Sequence, residues 1–175
     1  MQMTQIGLFF STVTGNTLEI AEAIQARHFP PGTVEVHEFE DANAESIDRY
    51  PALILGTPTV GDGEYPDGLA DFLPELDLVD FSTKTIALFG LGDQFGYPAE
   101  FVDALGMLYE ELTARGARIV GAWPTDGYQY EASRADQGDG QFCGLVLDQD
   151  NQPHLTDRRL TNWIASIKPA LLAAG

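Results

Sequence analysis

Between an apolar run and a stretch of helical spacing stands STVTGNT, residues 11–17, which carries hydroxyls and an amide around one glycine and has no lysine or arginine. The hydroxyls of Ser11, Thr12, Thr14 and Thr17 and the amide of Asn16 suit phosphate oxygens; Gly15 permits a close backbone approach, and Val13 completes the loop. At a strand-to-helix junction the free N–H groups and the dipole of the helix add to the attraction for an anion. The missing lysine separates this loop from GxxxxGK[ST], in which a cation grips a phosphate that is to be transferred. A phosphate held by neutral donors alone suits permanent residence. The same residues would also serve as an ordinary capping turn.

Two further loops follow apolar strands. TPTVGDGEYPDG (57–68) carries three glycines, which open backbone conformations closed to other residues and useful where main chain touches a flat ligand edge; a simple surface turn has the same composition. GLGDQFGYP (90–98) has glycines at 90, 92 and 96, one residue too wide for the dinucleotide fingerprint G-x-G-x-x-G. It offers backbone N–H groups around Gly92 and Asp93, and Tyr97, either a ring to stack on a planar ligand or a half-buried structural tyrosine.

The elements that must position these loops alternate. IGLFF (6–10), VEVHEF (34–39), ALILGT (52–57), TIALFGLG (85–92) and ARIVGAW (117–123) read as strands, the second at an edge. Helical spacing marks residues 16–28, a shorter stretch in 69–79 broken near Pro74, and 100–116, where Phe101, Leu105, Leu108 and Leu112 form the stripe and Gly116 the stop. From Pro124 to about Gly140 the chain is polar and glycine-dotted. Strand character returns in FCGLVL (142–147), and a last helix runs from Thr156, a candidate N-cap, to Leu172. Residues 1–175 read as one α/β domain: a doubly wound five-stranded parallel sheet, covered on both faces, with ligands expected beyond the carboxyl ends of the strands.

Charge and composition exclude several classes. Asp and Glu number 27 against 9 Lys and Arg, a formal net charge of −18, so neither nucleic acid nor an anionic membrane finds a basic footprint. Such a surface steers basic proteins, or serves solubility alone. One cysteine, Cys143 in QFCGLVL, rules out an internal disulfide, suits a reducing compartment and reads as a buried, inert thiol. No apolar run approaches the ~20 residues of a membrane helix, and MQMTQ leads straight into a strand without a signal peptide, so a cytoplasmic protein is expected. Scattered histidines at 28, 37 and 154 and a lone cysteine make no common zinc site. DQDNQPHLTDRR starts like a calcium loop but puts Arg159 where the bidentate acid belongs. No G-x-S-x-G elbow appears, and no catalytic or metal residue is assigned.

The segments IGLFFSTVTGNT, LILGTPTVGDGE, ALFGLGDQFGYP, VGAWPTDGY and GLVLDQDNQ together closely resemble the long-chain flavodoxins, small FMN-carrying electron-transfer proteins. The resemblance implies strand order 2-1-3-4-5 and a fifth strand interrupted by an insertion near 124–140. It implies that Ser11, Thr12, Val13, Thr14, Gly15, Asn16 and Thr17 hold the FMN phosphate. Thr57, Pro58, Thr59, Val60, Gly61, Asp62 and Gly63 would flank the isoalloxazine on one side, and Leu91, Gly92, Asp93, Gly96 and Tyr97 on the other. Tyr97 would stack on the outer face, and Asp150 would lie near the ribityl chain. Many long-chain members have glycine where this chain has Ser11, and PTWN where it has PTVG. Val60 thus stands in place of an inner-face tryptophan, as in flavodoxins associated with nitrogen fixation. Weaker FMN affinity is expected, and whether Tyr65 compensates is left open.

The implied function is a low-potential one-electron carrier with tightly, non-covalently bound FMN, working mainly between semiquinone and hydroquinone. The family's backbone carbonyl that turns toward flavin N5 on reduction would be that of the Gly61–Asp62 peptide, where glycine eases the turn. Asp62, Glu64, Asp67 and Asp93 lie in the same loops. A carboxylate ~8 Å from a ring at an effective dielectric of ~20 opposes the added electron by roughly 2 kcal/mol. Implied partners have basic faces: an NADPH-dependent flavodoxin reductase, ferredoxin-type donors, and iron–sulfur acceptor enzymes such as nitrogenase reductase, met by a monomer. The alternative on the same fold is an FMN-dependent NAD(P)H:quinone-type oxidoreductase; a receiver-type signalling domain would need acidic residues where STVTGNT stands.

Overall fold

A computed structural model describes residues 5–174. Its frame is a parallel sheet of β1 (Ile6–Phe10), β2 (Val34–Glu38), β3 (Ala52–Pro58), β4 (Thr85–Leu91) and β5 (Arg118–Val120), in the order β2-β1-β3-β4-β5. Every residue of β1 and β4 is buried, which is what continuous apolar runs require when both faces of a sheet are covered. β2 pairs only with β1 and lies at the edge, and of its residues only Val34 is buried.

The pleat divides the apolar side chains between two cores. Ile6, Leu8, Phe10 and Ile54 pack with α1 (Asn16–Ala23) and α5 (Thr156–Leu172), while Phe9, Leu53, Leu55 and Leu88 pack with α3 (Asp67–Phe72) and α4 (Asp103–Ala114). A short helix, α2 (Ala44–Asp48), went unforeseen. Its signal is the reciprocal cap in which the Asn43 side chain accepts from the Ser46 N–H and the Ser46 hydroxyl accepts from the Asn43 N–H.

The fifth strand is split, as the resemblance implied. β5 pairs with Thr85–Ala87, and at Gly121 (φ +89) the chain leaves the sheet. It forms a small hairpin of β6 (Trp123–Pro124) and β7 (Gln141–Phe142), then returns as β8 (Leu145–Leu147) beside Phe89–Leu91. The strand expected over 117–123 is therefore shorter, because Trp163 donates its indole N–H to the Gly121 carbonyl at 2.8 Å and pins the exit.

Other boundaries differ for local reasons. The helix expected over 16–28 finishes in a wider π-turn over Ile24–His28. The segment 69–79 is α-helical only to Phe72, after which Pro74 lies in a 3₁₀ stretch, Leu73–Leu78. The helix expected from residue 100 starts at Asp103, because Val102 is left-handed (φ +48). Thr156 opens α5 but does not cap it: Leu155 holds the cap position, and the Thr156 hydroxyl donates to the Gln149 side chain.

The insertion is packed, not draped. Tyr128, Tyr130 and Phe142 surround Phe101, with the Phe101 and Tyr130 ring centroids 5.4 Å apart, and the Arg159 guanidinium lies 4.1 Å above the Tyr128 ring. Cys143 is buried in this layer, which pushes its thiol up to about 12.

Gly106 is where α4 and the insertion meet, since a Cβ there would land on the Arg134 carbonyl and the Ala135 nitrogen. Alanine for glycine inside a helix ordinarily stabilises by about 1 kcal/mol. Gly106→Ala is expected to do the reverse, lowering urea-unfolding stability by about 1–3 kcal/mol through overpacking.

Candidate functional site

Beyond the carboxyl ends of β1, β3 and β4 lies a cavity of about 320 Å³, at the low end of the roughly 300–1,000 Å³ usual for small-molecule sites. It is the place at which a doubly wound sheet binds ligands. Thr14, Asn16 and Thr17 form one end. Gly15 turns the chain there with φ +93, its N–H donating to the Thr12 hydroxyl at 3.1 Å, and offers no side-chain cap to α1. Hydrogen bonding within α1 begins with the Glu19 N–H, which donates to the Gly15 carbonyl. Among the described residues nothing accepts from the backbone N–H groups of Thr14, Asn16 or Thr17. These are orphan donors at the positive end of an eight-residue helix, and no Lys, Arg or His lines the cavity.

The other end is apolar. Pro58 and Val60 form one wall, Leu91 and Tyr97 the other, and Phe101 and Val102 close the side. Tyr97 is 48% exposed and Val13 64%, and with the adjacent Phe95 they form a hydrophobic rim on an otherwise acidic protein. Gln149 and Asp150 line the cavity from the segment after β8.

Each loop is fastened. Thr59 donates its N–H to Leu91 and accepts from Ala104 N–H through its hydroxyl at 3.1 Å, tying the second loop to β4 and to the start of α4. Val60 and Glu64 exchange backbone bonds of 2.9 and 2.7 Å, closing a tight turn over Gly61, Asp62 and Gly63. Gly61 (φ +52) and Gly63 (φ +91) need the left-handed conformation, and a Cβ on Gly63 would meet Asp103 Oδ2 at 2.9 Å. Val102 is the one non-glycine residue with positive φ among those described, a strain of order 1–3 kcal/mol held in the cavity wall.

A polar network carries the third loop. The wholly buried Asp148 carboxylate accepts from the Gln94 amide at 2.6 Å, the Gln94 N–H at 3.1 Å and the Asn151 N–H at 3.0 Å. The Asn151 amide also donates to Asp93 at 2.8 Å, and the Gln94 carbonyl accepts from Gln129 N–H in the insertion at 2.6 Å. Burial pushes the Asp93 carboxyl up, but hydrogen bonds from the Gly96 N–H, the Asn151 amide and the Phe95 N–H outweigh it and hold the group below its usual range. Asp150 is raised, by burial first and then by the charges of Asp93 and Asp148.

Of the residues expected to form the site, Val13, Thr14, Asn16, Thr17, Pro58, Thr59, Val60, Leu91, Gly92, Asp93, Tyr97 and Asp150 line the cavity together. Ser11 and Thr12 face a second cleft on the other side of the loop, and Gly15 acts as the turn. Thr57 is fully buried, its hydroxyl donating to the Pro58 carbonyl. Gly61, Asp62 and Gly63 stand outside the cavity lining, as does Gly96, whose N–H is held by Asp93. The Gly92 N–H, expected to be a ligand donor, is taken by the Leu147 carbonyl at 3.1 Å; Gly92 is glycine because a Cβ would strike Val102. Nor do Asp62, Glu64 and Asp67 supply the carboxylates of the cavity wall, which are Asp93, Glu100 and Asp150. Tyr65 does not line the cavity: half-buried, it packs against the core, where burial pushes its hydroxyl up to about 12. Glu100, Phe101, Val102 and Gln149 were not anticipated; the apolar stripe of a helix hides residues that double as a cavity wall.

The fold and this cavity define a doubly wound α/β domain with a ligand-sized site at its switch point. The flavodoxin family profile matches residues 8–163. A flavodoxin of Picosynechococcus sp. is 47% identical over 168 residues, covering 96% of this chain and 98% of its own. One of Klebsiella pneumoniae is 43% identical over 185 residues, covering 97% and 100%. The crystal structure of Fusobacterium nucleatum flavodoxin bound to flavin mononucleotide superposes with a TM-score of 0.87 at 33% identity, covering 96% of this chain and 99% of that one. This chain belongs to the flavodoxin family.

Asn151 tests the network. A carboxylate held below its unfolded value stabilises the fold above the ordinary carboxylate range, and that contribution disappears as pH falls through the folded value. Asn151→Ala removes a donor to the charged form, so Asp93 is expected to titrate at higher pH and acid unfolding to set in earlier. A carbon-13 carboxyl NMR titration reads the first effect and circular dichroism the second.

Proposed function

We propose that the cavity holds FMN and that the chain is a low-potential one-electron carrier, not an enzyme, working mainly between the one- and two-electron-reduced states of the cofactor. The observation that carries this reading is the meeting, in one cavity, of unclaimed neutral donors at the start of α1 with the apolar walls set by Val60 and Tyr97. Family membership and the FMN-bound relative support it.

Thr14, Asn16 and Thr17, with the N–H groups of their turn, would hold the phosphate. Their neutrality leaves its charge in place, so the site adds no cation to draw electrons onto the ring. Tyr97 and Val60 would bracket the isoalloxazine, and Asp150, which lines the cavity, would lie near the ribityl chain. When bound, FMN supplies the one-electron chemistry. Asp93, Glu100 and Asp150 then oppose negative charge on the ring, which favours a low potential for the second electron.

Electron donors and acceptors would meet the rim with basic faces: an NADPH-dependent reductase or ferredoxin-type donor on one side, iron–sulfur enzymes such as nitrogenase reductase on the other. The excess of acidic residues supports that expectation. The carrier would work as a monomer in the cytoplasm.

The test is a potentiometric titration of the purified yellow protein and its Glu100→Gln variant. The variant is expected to raise the potential of the second electron by roughly tens of millivolts, less at high salt. Potentials insensitive to both the substitution and salt would refute the electrostatic account.

A further inference from the structure

The first loop has two sides. Opposite the cavity, the chain forms a second cleft of about 210 Å³ between the end of β2, the start of α3 and the loop itself. Ser11, Glu38, Glu40 and Asp67 line it, with Val13 as the wall shared with the larger cavity.

Two independent features mark this cleft as a binding place for a cation. Glu38, Glu40 and Asp67 form no ion pair among the described residues, although every ion pair the fold does make draws on its few basic side chains. Ser11 is only 5% exposed and lines the cleft beside Gly68, whose added Cβ would lie 3.2 Å from the Ser11 hydroxyl. That hydroxyl makes no hydrogen bond within the described residues, and no fully sealed side-chain polar atom lacks a partner, so its remaining surface opens into the cleft. A nearly buried hydroxyl facing unpaired carboxylates provides acceptors and no competing donor cation. Among the described residues no cluster of three His, Cys, Asp or Glu is arranged to hold a metal ion.

We propose that this cleft anchors an arginine side chain of the electron-transfer partner. The five N–H groups of a guanidinium, fixed in one plane, suit acceptors that surround a slot, whereas a lysine ammonium offers a compact point charge. The stem of such an arginine would lie along Val13, 64% exposed, and so bring the partner's surface over the rim of Val13 and Tyr97 beside the larger cavity. The anchor thereby sets the orientation of the partner and keeps its redox centre near the ring edge, separating recognition from the carboxylates that set the potential. The identity of the partner rests on the carrier reading; the cleft itself does not.

The experiment is a nitrogen-15 HSQC titration of the FMN-loaded protein with N-acetyl-arginine methylamide, against the citrulline and lysine analogues. Saturable shifts are expected at the amides of Ser11, Thr12 and Gly68, absent with citrulline and weaker with lysine. Glu40→Gln, a substitution at an exposed carboxylate outside the FMN cavity, is expected to leave the flavin spectrum unchanged and to weaken arginine binding about tenfold, as for one lost charge-assisted hydrogen bond. A yellow protein showing no saturable shifts, shifts shared equally by all three probes, or shifts unaffected by Glu40→Gln would overturn the anchor. A protein that takes up no FMN overturns the carrier reading instead, whatever the probe shows.

Discussion

The first turn of α1 presents backbone N–H groups that no atom of the described chain accepts. Leaving such donors unpaired costs each of them its hydrogen bond, so the turn is complete only with an acceptor from outside, water or anion. Two features make the anion the better match: the helix dipole, and the hydroxyls and amide of Thr14, Asn16 and Thr17 converging on the same space. The absence of a lining cation then has a chemical consequence. A phosphate can be held without its charge being cancelled, and the same site keeps its negative field for the ring.

Around that turn the protein holds three loops in register by buried polar contacts rather than by loop packing alone. Asp148 is the hub: it fixes Gln94 and Asn151, and through them reaches the insertion at Gln129 and the third loop at Asp93. Buried polar networks of this kind are costly when incomplete and specific when complete. Among the described residues no sealed side-chain polar atom is without a partner. The insertion that splits the fifth strand thus has a structural task, since its tyrosines seat Phe101 and Gln129 fixes Gln94 at the edge of the site.

Much of the fold was legible because the buried strands are nearly unbroken apolar runs and the long helices carry clear stripes. The three loops were legible from their hydroxyl, glycine and aromatic content. What was hidden depended on tertiary contact. Nothing local shows that Gly92 spends its N–H on Leu147, that Ser11 and Thr12 turn to the far side of their loop, or that Glu100 rather than Asp62 reaches the cavity. The left-handed Val102, a β-branched residue where glycine is the usual choice, shortened α4 against its own periodicity. The brief α2 was missed because five residues are too few for a stripe; only its cap was readable.

The central claim is that unpaired neutral donors at the head of α1 recognise a phosphate. Isothermal titration of the flavin-free chain with FMN and with riboflavin, identical except for that phosphate, tests it most directly. The account predicts that FMN binds at least about a hundredfold more tightly, in line with two or more hydrogen bonds to a charged group. Equal affinity for the two flavins, or no affinity for either, would contradict it.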